Sequence, residues 1–378
     1  MKLTDKLNIK LHPWMRKYVF HTYDSQMRQL KKNHPELFAP VDPDITQKHL
    51  ELWGRFGTPA NDLWLRYLCN VSGIVDYRYC PSSFFYAYVE RMMNECDHVG
   101  YGIEDKNELW RYLPEGVEPH AYLRYIRGSF YDEDGHWVSA DAAKSILDSL
   151  KVDLVGKGCR SSGGAAVQLF QFKDGIHKSE KATLTPEWIS NQGVSYVVQE
   201  KLAQNSFAES LNPGSVNTVR LMTMRCPWNG EVVPLRAVMR LGTKAVLVDN
   251  LSQGGVSVGV DLSGRFADEC IDDYGNHFMA HPTSGTVFSE IKHPFIGDMA
   301  RKACEIHAGI PFYNLLSFDL IVRADGSLCV VEINATSMAS RMLQQDFGPL
   351  FGDRTEKLVE WCVEHQSLDF FEHVRTWY

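Results

Sequence analysis

The chain has 378 residues, of which 44% are hydrophobic and 23% are charged, as in globular proteins. This length predicts about two or three subdomains around a large core. The formal net charge of −8 argues against a general nucleic-acid-binding protein.

The first residues and the cysteines indicate the cellular compartment of the protein. Met1 to Lys6 are polar and no long apolar run follows, so we expect neither a secretory signal nor a transmembrane segment. Nine scattered cysteines without a C-x-x-C pair favour reduced thiols and argue against a zinc site or a disulfide framework. We therefore expect a cytoplasmic protein.

From Trp14 to about Glu95 the pattern predicts helices rich in aromatic residues, and we assign 1–98 to a helical N-terminal region. Its first part is basic through Lys2, Lys6, Lys10, Arg16, Lys17, Arg28, Lys31 and Lys32. A solvated helix face explains this charge. The alternative is a site for peripheral association with a membrane surface or for an acidic partner.

After Gly100 helices and strands alternate, so we assign 99–135 to a connecting segment and 136–378 to the main domain. Helices are predicted at Asp105 to Tyr112, Ser139 to Leu150, Phe295 to Ala308 and Thr355 to His365. Strands are predicted at Ala121 to Arg127, Lys151 to Lys157, Ala165 to Lys173, Tyr196 to Gln199, Thr218 to Arg225, Val232 to Leu241 and Ala245 to Asn250.

The segment Ser317 to Asn334 predicts two strands joined by an Asp-Gly turn. Pairing brings Asp319 beside Glu332, and alternation along the second strand puts Glu332 and Asn334 on one face. Such an all-oxygen set suits Mg²⁺. A surface hairpin with charges facing water is the competing interpretation.

A loop rich in serine and glycine follows Lys157 at the end of a predicted strand. Glycines such as Gly163 and Gly164 let backbone N–H groups approach phosphate oxygens, and Lys157 supplies a positive charge. Ser161 and Ser162 belong to the same loop. Because the lysine precedes the glycines and no helix follows at once, this is not a Walker loop. A flexible hairpin loop is the alternative.

Two further segments carry polar groups suited to a nucleotide. Main-chain groups after the strand that ends at Gln199 are placed to bond an adenine edge, with Glu200 or Gln204 near a ribose. Arg236 and Arg240 lie four apart on one strand, share a face, and are expected to point into one cleft and neutralise phosphoryl oxygens. Arg220 opens the preceding strand, and Asn250 lies in a polar loop suited to a substrate or phosphate. A plain turn is the competing interpretation of that loop.

In order, these segments resemble the ATP-grasp superfamily, and most of all its sugar-transfer-associated family, which is encoded near polysaccharide genes in bacteria. The blocks that carry the resemblance are Asp105-Lys106, Lys157 with its glycine loop, Val198 to Leu202, the arginine-bearing strands, and Asp319 with Glu332-x-Asn334. It covers roughly residues 100 to 345. It implies an α+β ATP-grasp fold, in which two α+β subdomains clasp ATP, preceded here by the helical N-terminal region.

The resemblance also implies site residues. The phosphates of ATP would be held by Lys106 and Lys157, the adenine and ribose by Gln199, Glu200, Lys201 and Leu202, and the magnesium ions by Asp319, Glu332 and Asn334. Arg240 would face the transferred phosphoryl group, and we add Arg220 and Asn250 as candidate catalytic residues. The chain departs from the pattern at Gly158, where many relatives have proline. It departs again at Ser317, where some ligases have an arginine that Arg220, Arg240 or Arg341 would have to replace.

The expected reaction begins when an acceptor carboxylate attacks the γ-phosphate of ATP, with magnesium bridging the phosphate oxygens. An amine then displaces phosphate from the acyl phosphate. The expected partners are a small-molecule carboxylate and an amine or sugar, in polysaccharide or cell-surface glycan biosynthesis. Two alternatives remain: a kinase that phosphorylates a hydroxyl of a small molecule or sugar, and a non-enzymatic nucleotide-binding partner of a glycosylation system.

Overall fold

The computed structural model describes residues 3–94, 100–159, 167–243 and 249–365, which form two antiparallel seven-stranded sheets. The first sheet contains β1 (Ala121–Ile126), β2 (Ser129–Tyr131), β3 (Trp137–Val138), β4 (Leu154–Gly158), β5 (Val167–Lys173), β6 (Ile176–Lys178) and β7 (Tyr196–Glu200). The second contains β8 (Val219–Arg225), β9 (Val232–Leu241), β10 (Val256–Val260), β11 (Cys270–Asp272), β12 (His277–Phe278), β13 (Leu315–Val322) and β14 (Leu328–Asn334). The strand orders are β3-β2-β1-β7-β4-β5-β6 and β12-β11-β10-β9-β8-β13-β14.

Helices surround both sheets. In the described ranges they are α1 (Leu3–Asn33), α2 (Pro43–Gly54), α3 (Leu63–Ser72), α4 (Ser82–Phe84), α5 (Glu90–Asn94), α6 (Gly100–Ile103), α7 (Ala140–Ser149), α8 (Pro186–Ser190), α9 (Ser206–Leu211), α10 (Ile296–Ala308) and α11 (Thr355–Glu364). A π-helical turn, Phe85–Val89, joins α4 to α5. None of the helices in these ranges is both long enough and apolar enough to span a membrane.

Most predicted elements are confirmed within a few residues. The strand Val232–Leu241 has the expected bounds, and Ser139 caps α7 by accepting a hydrogen bond from Ala142 N at 3.2 Å, which is worth about 1 kcal/mol. The helix predicted at Asp105 to Tyr112 is wrong in its first half. There the Asp105 side chain accepts the Asn107 N–H, and only a 3₁₀ turn, Leu109–Tyr112, follows. Residues 245–248 of the last predicted strand lie outside the described ranges, and Asp249 and Asn250 are not in a strand.

The second sheet is covered on both faces. On one face α10 packs against β8, β9 and β13 around one apolar core. On the other face Trp53, Phe84 and Phe85 of the N-terminal helices share a core with Met222 and Met224 of β8. The helical N-terminal region is therefore packed on the same sheet face that carries the candidate site, while the boundaries at 98 and 135 stay predictions.

A β-bulge in the hairpin determines which way Glu332 points. Asp319 pairs with Glu332 but the next residue, Leu320, pairs with Val330, so Val331 is an extra residue on β14. Val330 and Ile333 pack into the core under α10. Strict alternation after Val330 would send Glu332 into that core, and the extra residue turns it to the opposite face.

Candidate functional site

A cavity of about 710 Å³ lies between the two sheets. The first sheet and the segment after it contribute Val155, Lys157, Val167, Glu200, Lys201, Leu202, Ala203 and Gln204. The second sheet and its loops contribute Thr218, Arg220, Arg240, Asp249, Asn250, Asp319, Val331, Glu332, Asn334 and Ser337. Lys106, Glu209 and the loop 213–216 complete the lining. The structure thus brings most of the predicted residues to one place.

Asp319 lies at the centre of a buried ionic network. Both of its carboxylate oxygens accept hydrogen bonds from Arg220, through Nε and Nη2 at 2.8 Å each, and Oδ2 also accepts from Arg240 Nη2 at 2.9 Å. Burial alone would raise the pKa of Asp319, but the two guanidinium groups outweigh it and hold that pKa below its usual value. These two arginines lie on β8 and β9, and cross-strand packing places them together.

Arg240 is fixed from its other side by Thr218 and Asp249. Its Nε and Nη2 donate to Thr218 Oγ1 at 3.1 and 2.7 Å, and the Thr218 hydroxyl and backbone N–H donate to Asp249 Oδ2. Burial raises the pKa of Asp249. Within the described residues Nη1 of Arg220 and of Arg240 has no partner, so each guanidinium group is immobilised and still has donors for a ligand.

Two lysines face the same part of the cavity. Lys106 Nζ lies 3.0 Å from Glu332 Oε1. Lys157 has no hydrogen-bond partner among the described residues, and burial, reinforced by the charge of Lys106, lowers its pKa to about 8 while Glu332 opposes the shift. A cation that is desolvated beside a like charge is stabilised when an anion binds there. This pair therefore suits phosphate oxygens.

Glu200 at the end of β7 and the next two residues, Lys201 and Leu202, also line the cavity. The Glu200 carboxylate accepts from His120 N at 2.9 Å and from Arg323, and Lys201 Nζ lies 3.3 Å from Asp153 Oδ2. Leu202 packs with Ile321 and Cys329 of the hairpin. These contacts tie the end of the first sheet to the second sheet.

Two predicted residues and the predicted phosphate loop differ from the rest. Gln199 does not line the cavity: it is 4% exposed within β7, its Nε2 lies 3.4 Å from the Pro119 carbonyl oxygen, and its Oε1 has no partner in the described chain. The expectation that Arg236 shares a cleft with Arg240 is wrong, because Arg236 Nε donates to the Pro349 carbonyl and lies off the cavity. The predicted phosphate loop, Ser161, Ser162, Gly163 and Gly164, lies outside the described residues.

Several lining residues were not predicted. Thr218 and Asp249 each adjoin a polar segment that the sequence singled out, and this adjacency is the signal that could have identified them. Ser337 follows Asn334 by three residues and has a left-handed backbone, with φ of 52°. Val331 reaches the cavity only through the bulge, which no local pattern indicates.

The end of the hairpin fits a magnesium ion. Glu332 and Asn334 bring a carboxylate and an amide to the cavity on one face, and phosphate oxygens of a nucleotide would add the ligands that Mg²⁺ prefers. Asp319 is different, because its oxygens already accept three hydrogen bonds. An ionised carboxylate has about four lone-pair sites, so one remains, on Oδ1.

The family model described as sugar-transfer associated ATP-grasp matches residues 130–347, more than half of the chain. The chain belongs to the sugar-transfer associated ATP-grasp family. Its two sheets with a cavity between them are the ATP-grasp fold, as predicted. A search of curated protein sequences finds no match.

Solved structures similar to this ATP-grasp chain are distant. Biotin carboxylase from Campylobacter jejuni is 10% identical with a TM-score of 0.42, covering 69% of this chain and 46% of that one. D-cycloserine synthetase is 16% identical with a TM-score of 0.39, and the match covers 70% of each chain. The VanG D-Ala:D-Ser ligase from Enterococcus faecalis is 11% identical with a TM-score of 0.38, and the match covers 70% of this chain and 61% of that one. The chain spans about half the length of the biotin carboxylase, 46%.

Proposed function

We propose that this ATP-grasp protein is an ATP- and magnesium-dependent carboxylate–amine ligase that acts through an acyl phosphate in the cytoplasm, in polysaccharide or cell-surface glycan biosynthesis. The observation that carries the proposal is one cavity in which two lysines, two immobilised arginines and the Glu332–Asn334 pair converge. The family description supports the connection with sugar transfer.

In this proposal the nucleotide lies along the cavity. Glu200, Lys201 and Leu202 line the end that receives adenine and ribose, and Lys106 and Lys157 hold the phosphates. Lysine binds phosphate as a compact point charge, which suits the absence of a fixed hydrogen bond to Lys157 within the described chain. Asn250, beside Asp249 in the lining, is assigned to the acceptor or the phosphate.

Glu332 and Asn334 would hold magnesium, and Asp319 would contribute through Oδ1. A magnesium ion bound there supplies charge neutralisation at the phosphate oxygens. The chain's own part is assigned to Arg220 and Arg240, which line the cavity and are held by fixed partners, and whose Nη1 groups have no partner within the described chain. Donors that are positioned before the reaction stabilise charge that develops on the transferred phosphoryl group. The arginines thereby fill the role expected of the residue that Ser317 replaces.

The proposed reaction has two steps. A carboxylate oxygen of the acceptor forms a bond to the γ-phosphorus as the bond to the β-phosphate oxygen breaks, which releases ADP. The amine then attacks the acyl carbon, loses a proton, and expels inorganic phosphate that keeps the former carboxylate oxygen. No nucleophilic serine or cysteine takes part, so positioning and electrostatics supply the rate enhancement.

The test is turnover of magnesium-ATP against pooled carboxylates with pooled amines or amino sugars, with mass spectrometry of the products. Formation of ADP, phosphate and an amide is expected. A stable phosphomonoester would establish the kinase alternative. Nucleotide binding without turnover in any pool would favour the nucleotide-binding partner of a glycosylation system.

We also infer that α1 attaches the protein peripherally to an anionic membrane surface. Between Leu3 and Asn33 the chain has seven lysines and arginines against two aspartates, although the whole chain is acidic. Trp14 and Tyr18 are each 62% exposed and their rings stack with centroids 6.1 Å apart. Exposed aromatics beside basic residues are typical of interfacial helices.

Sedimentation with vesicles tests the membrane inference. Wild-type protein should bind phosphatidylglycerol vesicles and not phosphatidylcholine vesicles, and binding should fall in the double variant Trp14→Ser, Tyr18→Ser. Equal binding of the wild type and the variant, or no binding to either vesicle, would contradict the inference.

A further inference from the structure

Ala335 is the first residue beyond β14 and adjoins the predicted magnesium ligand Asn334. Its backbone has left the strand ladder, and side chains from outside the sheet hold both of its peptide groups. Its N–H donates to Glu104 Oε1 at 2.9 Å, and its carbonyl accepts from Asn94 Nδ2 at 2.8 Å. Buried backbone groups need such partners, so the two side chains determine where the strand end lies.

Glu104 holds more than Ala335. The same Oε1 also accepts the Thr336 N–H at 2.7 Å and the Thr336 hydroxyl at 2.8 Å. One carboxylate oxygen thus collects three donors from two consecutive residues directly after the hairpin. Hydrogen bonds to an ionised group are stronger than those between neutral groups.

Asn94 connects the two strands that carry the site. Its Nδ2 donates also to the Leu315 carbonyl at 2.8 Å, and its Oδ1 accepts the N–H groups of Leu315 at 2.7 Å and Asn314 at 3.0 Å. The side chain is fully buried. The start of β13 and the end of β14 are therefore fixed against each other by a residue of the helical N-terminal region.

The chain beyond Thr336 is strained. Ser337 and Ala339 have φ of 52° and 60°, a left-handed conformation that is costly for residues with a Cβ. The Glu90 carboxyl group faces the N–H groups of Met338 and Ser337, and Ser82 Oγ lies 2.9 Å from Ser340 Oγ. Such a conformation persists only where the surroundings impose it, and here α4, α5 and Glu104 do so.

We propose that Asn94 and Glu104 are positioning residues of the magnesium site: by holding Ala335 from both sides they set the side chain of Asn334 at the cavity. This inference rests on the proposed function, and it makes the N-terminal helices part of the catalytic unit. Partners that orient a metal ligand affect metal affinity by about 10- to 100-fold when they are removed.

The test is calorimetric titration of magnesium into the full-length protein saturated with ADP. Glu104→Ala should weaken magnesium binding by about 10- to 100-fold, while the affinity for ADP measured in EDTA stays unchanged. Glu104→Gln is the matched control, because its amide oxygen still accepts the N–H groups, and it should bind magnesium within a few fold of wild type.

Thr336→Val covers the case in which Glu104→Ala does not fold. It removes one of the three hydrogen bonds and should weaken magnesium binding by a smaller factor in the same direction. Unchanged magnesium affinity in a folded Glu104→Ala or, failing that, in Thr336→Val overturns the inference while leaving the proposed function intact. If the wild type binds neither ADP nor magnesium with ADP, the proposed function and this inference are both overturned.

Discussion

The two walls of the cavity are built differently. On the second sheet, Arg220, Asp319, Arg240, Thr218 and Asp249 form a buried, continuous network in which each residue bonds to at least one other. On the first sheet and the segment after it, Lys157 has no hydrogen-bond partner among the described residues, and Lys201 has a single ion pair at 3.3 Å.

This difference separates two tasks. Groups that stabilise developing charge work best when they need no rearrangement as the reaction proceeds, which the network of the second sheet provides. Groups that capture a mobile nucleotide gain from being unsatisfied beforehand, because the ligand then relieves their desolvation. We therefore expect substitutions on the second sheet to reduce turnover and substitutions on the first sheet to reduce nucleotide affinity.

The largest effect is expected at Glu332. Glu332→Gln replaces a carboxylate that would bind magnesium with a neutral amide, so turnover of magnesium-ATP should fall by orders of magnitude while the thermal midpoint changes little. Steady-state kinetics with magnesium as the sole divalent metal measures this. Turnover at the wild-type rate in the folded variant would remove Glu332 from the metal site.

A substitution of Arg240 tests directly whether the second sheet determines turnover. Arg240→Met removes a positioned donor, which typically costs about two or more powers of ten in rate, and the affinity for ATP should change far less. Single-turnover kinetics together with calorimetry separates the two quantities. A loss confined to ATP affinity would mean that Arg240 binds the nucleotide as the lysines do. It would contradict the expectation that substitutions on the second sheet reduce turnover.

A substitution of Lys157 tests whether the first sheet determines nucleotide affinity. Lys157→Ala removes one charge-assisted contact, worth about 1.5–3 kcal/mol, so ATP should bind roughly 10- to 100-fold more weakly. The thermal midpoint without nucleotide should not fall, because Lys157 has no hydrogen bond to lose within the described chain and burial disfavours its charged form. Lys157→Arg, which keeps the charge, is the control. Unchanged ATP affinity in the alanine variant would mean that this end of β4 has only a structural role.

The pH dependence of ATP binding tests the role of the first sheet further, with a smaller expected effect. Burial lowers the pKa of Lys157 to about 8 in the free protein. Above that pH the lysine is neutral, so phosphate binding must take up a proton and ATP affinity should fall by up to about tenfold per pH unit. Because the folded-state pKa lies below the unfolded one, the stability of the free protein should rise over the same range. Calorimetry in buffers of different ionisation enthalpy reports the proton uptake, which should be absent in Lys157→Ala.

The hairpin shows how much local patterns can predict. Its turn and its two strands follow from such patterns, because an Asp-Gly turn and alternation are strong local signals. The predicted pairing of Asp319 with Glu332 is observed, but it also depends on the shift in register at Val331, which no local pattern indicates. The order of the blocks along the chain then indicates the family. Sequence patterns alone therefore predict the candidate site residues that this hairpin carries.

Other features depend on distant contacts that no local pattern contains. Arg220 and Arg240 reach Asp319 from 99 and 79 residues away, so their pairing depends on the order of the strands. Gln199 is predicted to line the pocket with its neighbours. It pairs with the lining residue Val155, yet its side chain lies 3.4 Å from the Pro119 carbonyl oxygen and does not line the cavity. The contacts of Asn94 and Glu104 with Ala335 join residues 241 and 231 positions apart in the chain, and Asn94 belongs to the N-terminal helices, which the resemblance does not cover.

The measurement that tests the central claim most directly uses an acceptor carboxylate labelled with ¹⁸O. With magnesium-ATP and an amine, a ligase that forms an acyl phosphate transfers one ¹⁸O atom to the inorganic phosphate released, and mass spectrometry or ³¹P spectroscopy detects it. We predict labelled phosphate in amounts equal to the amide formed. Amide formation with unlabelled phosphate, or a phosphomonoester with no free phosphate, would contradict the account.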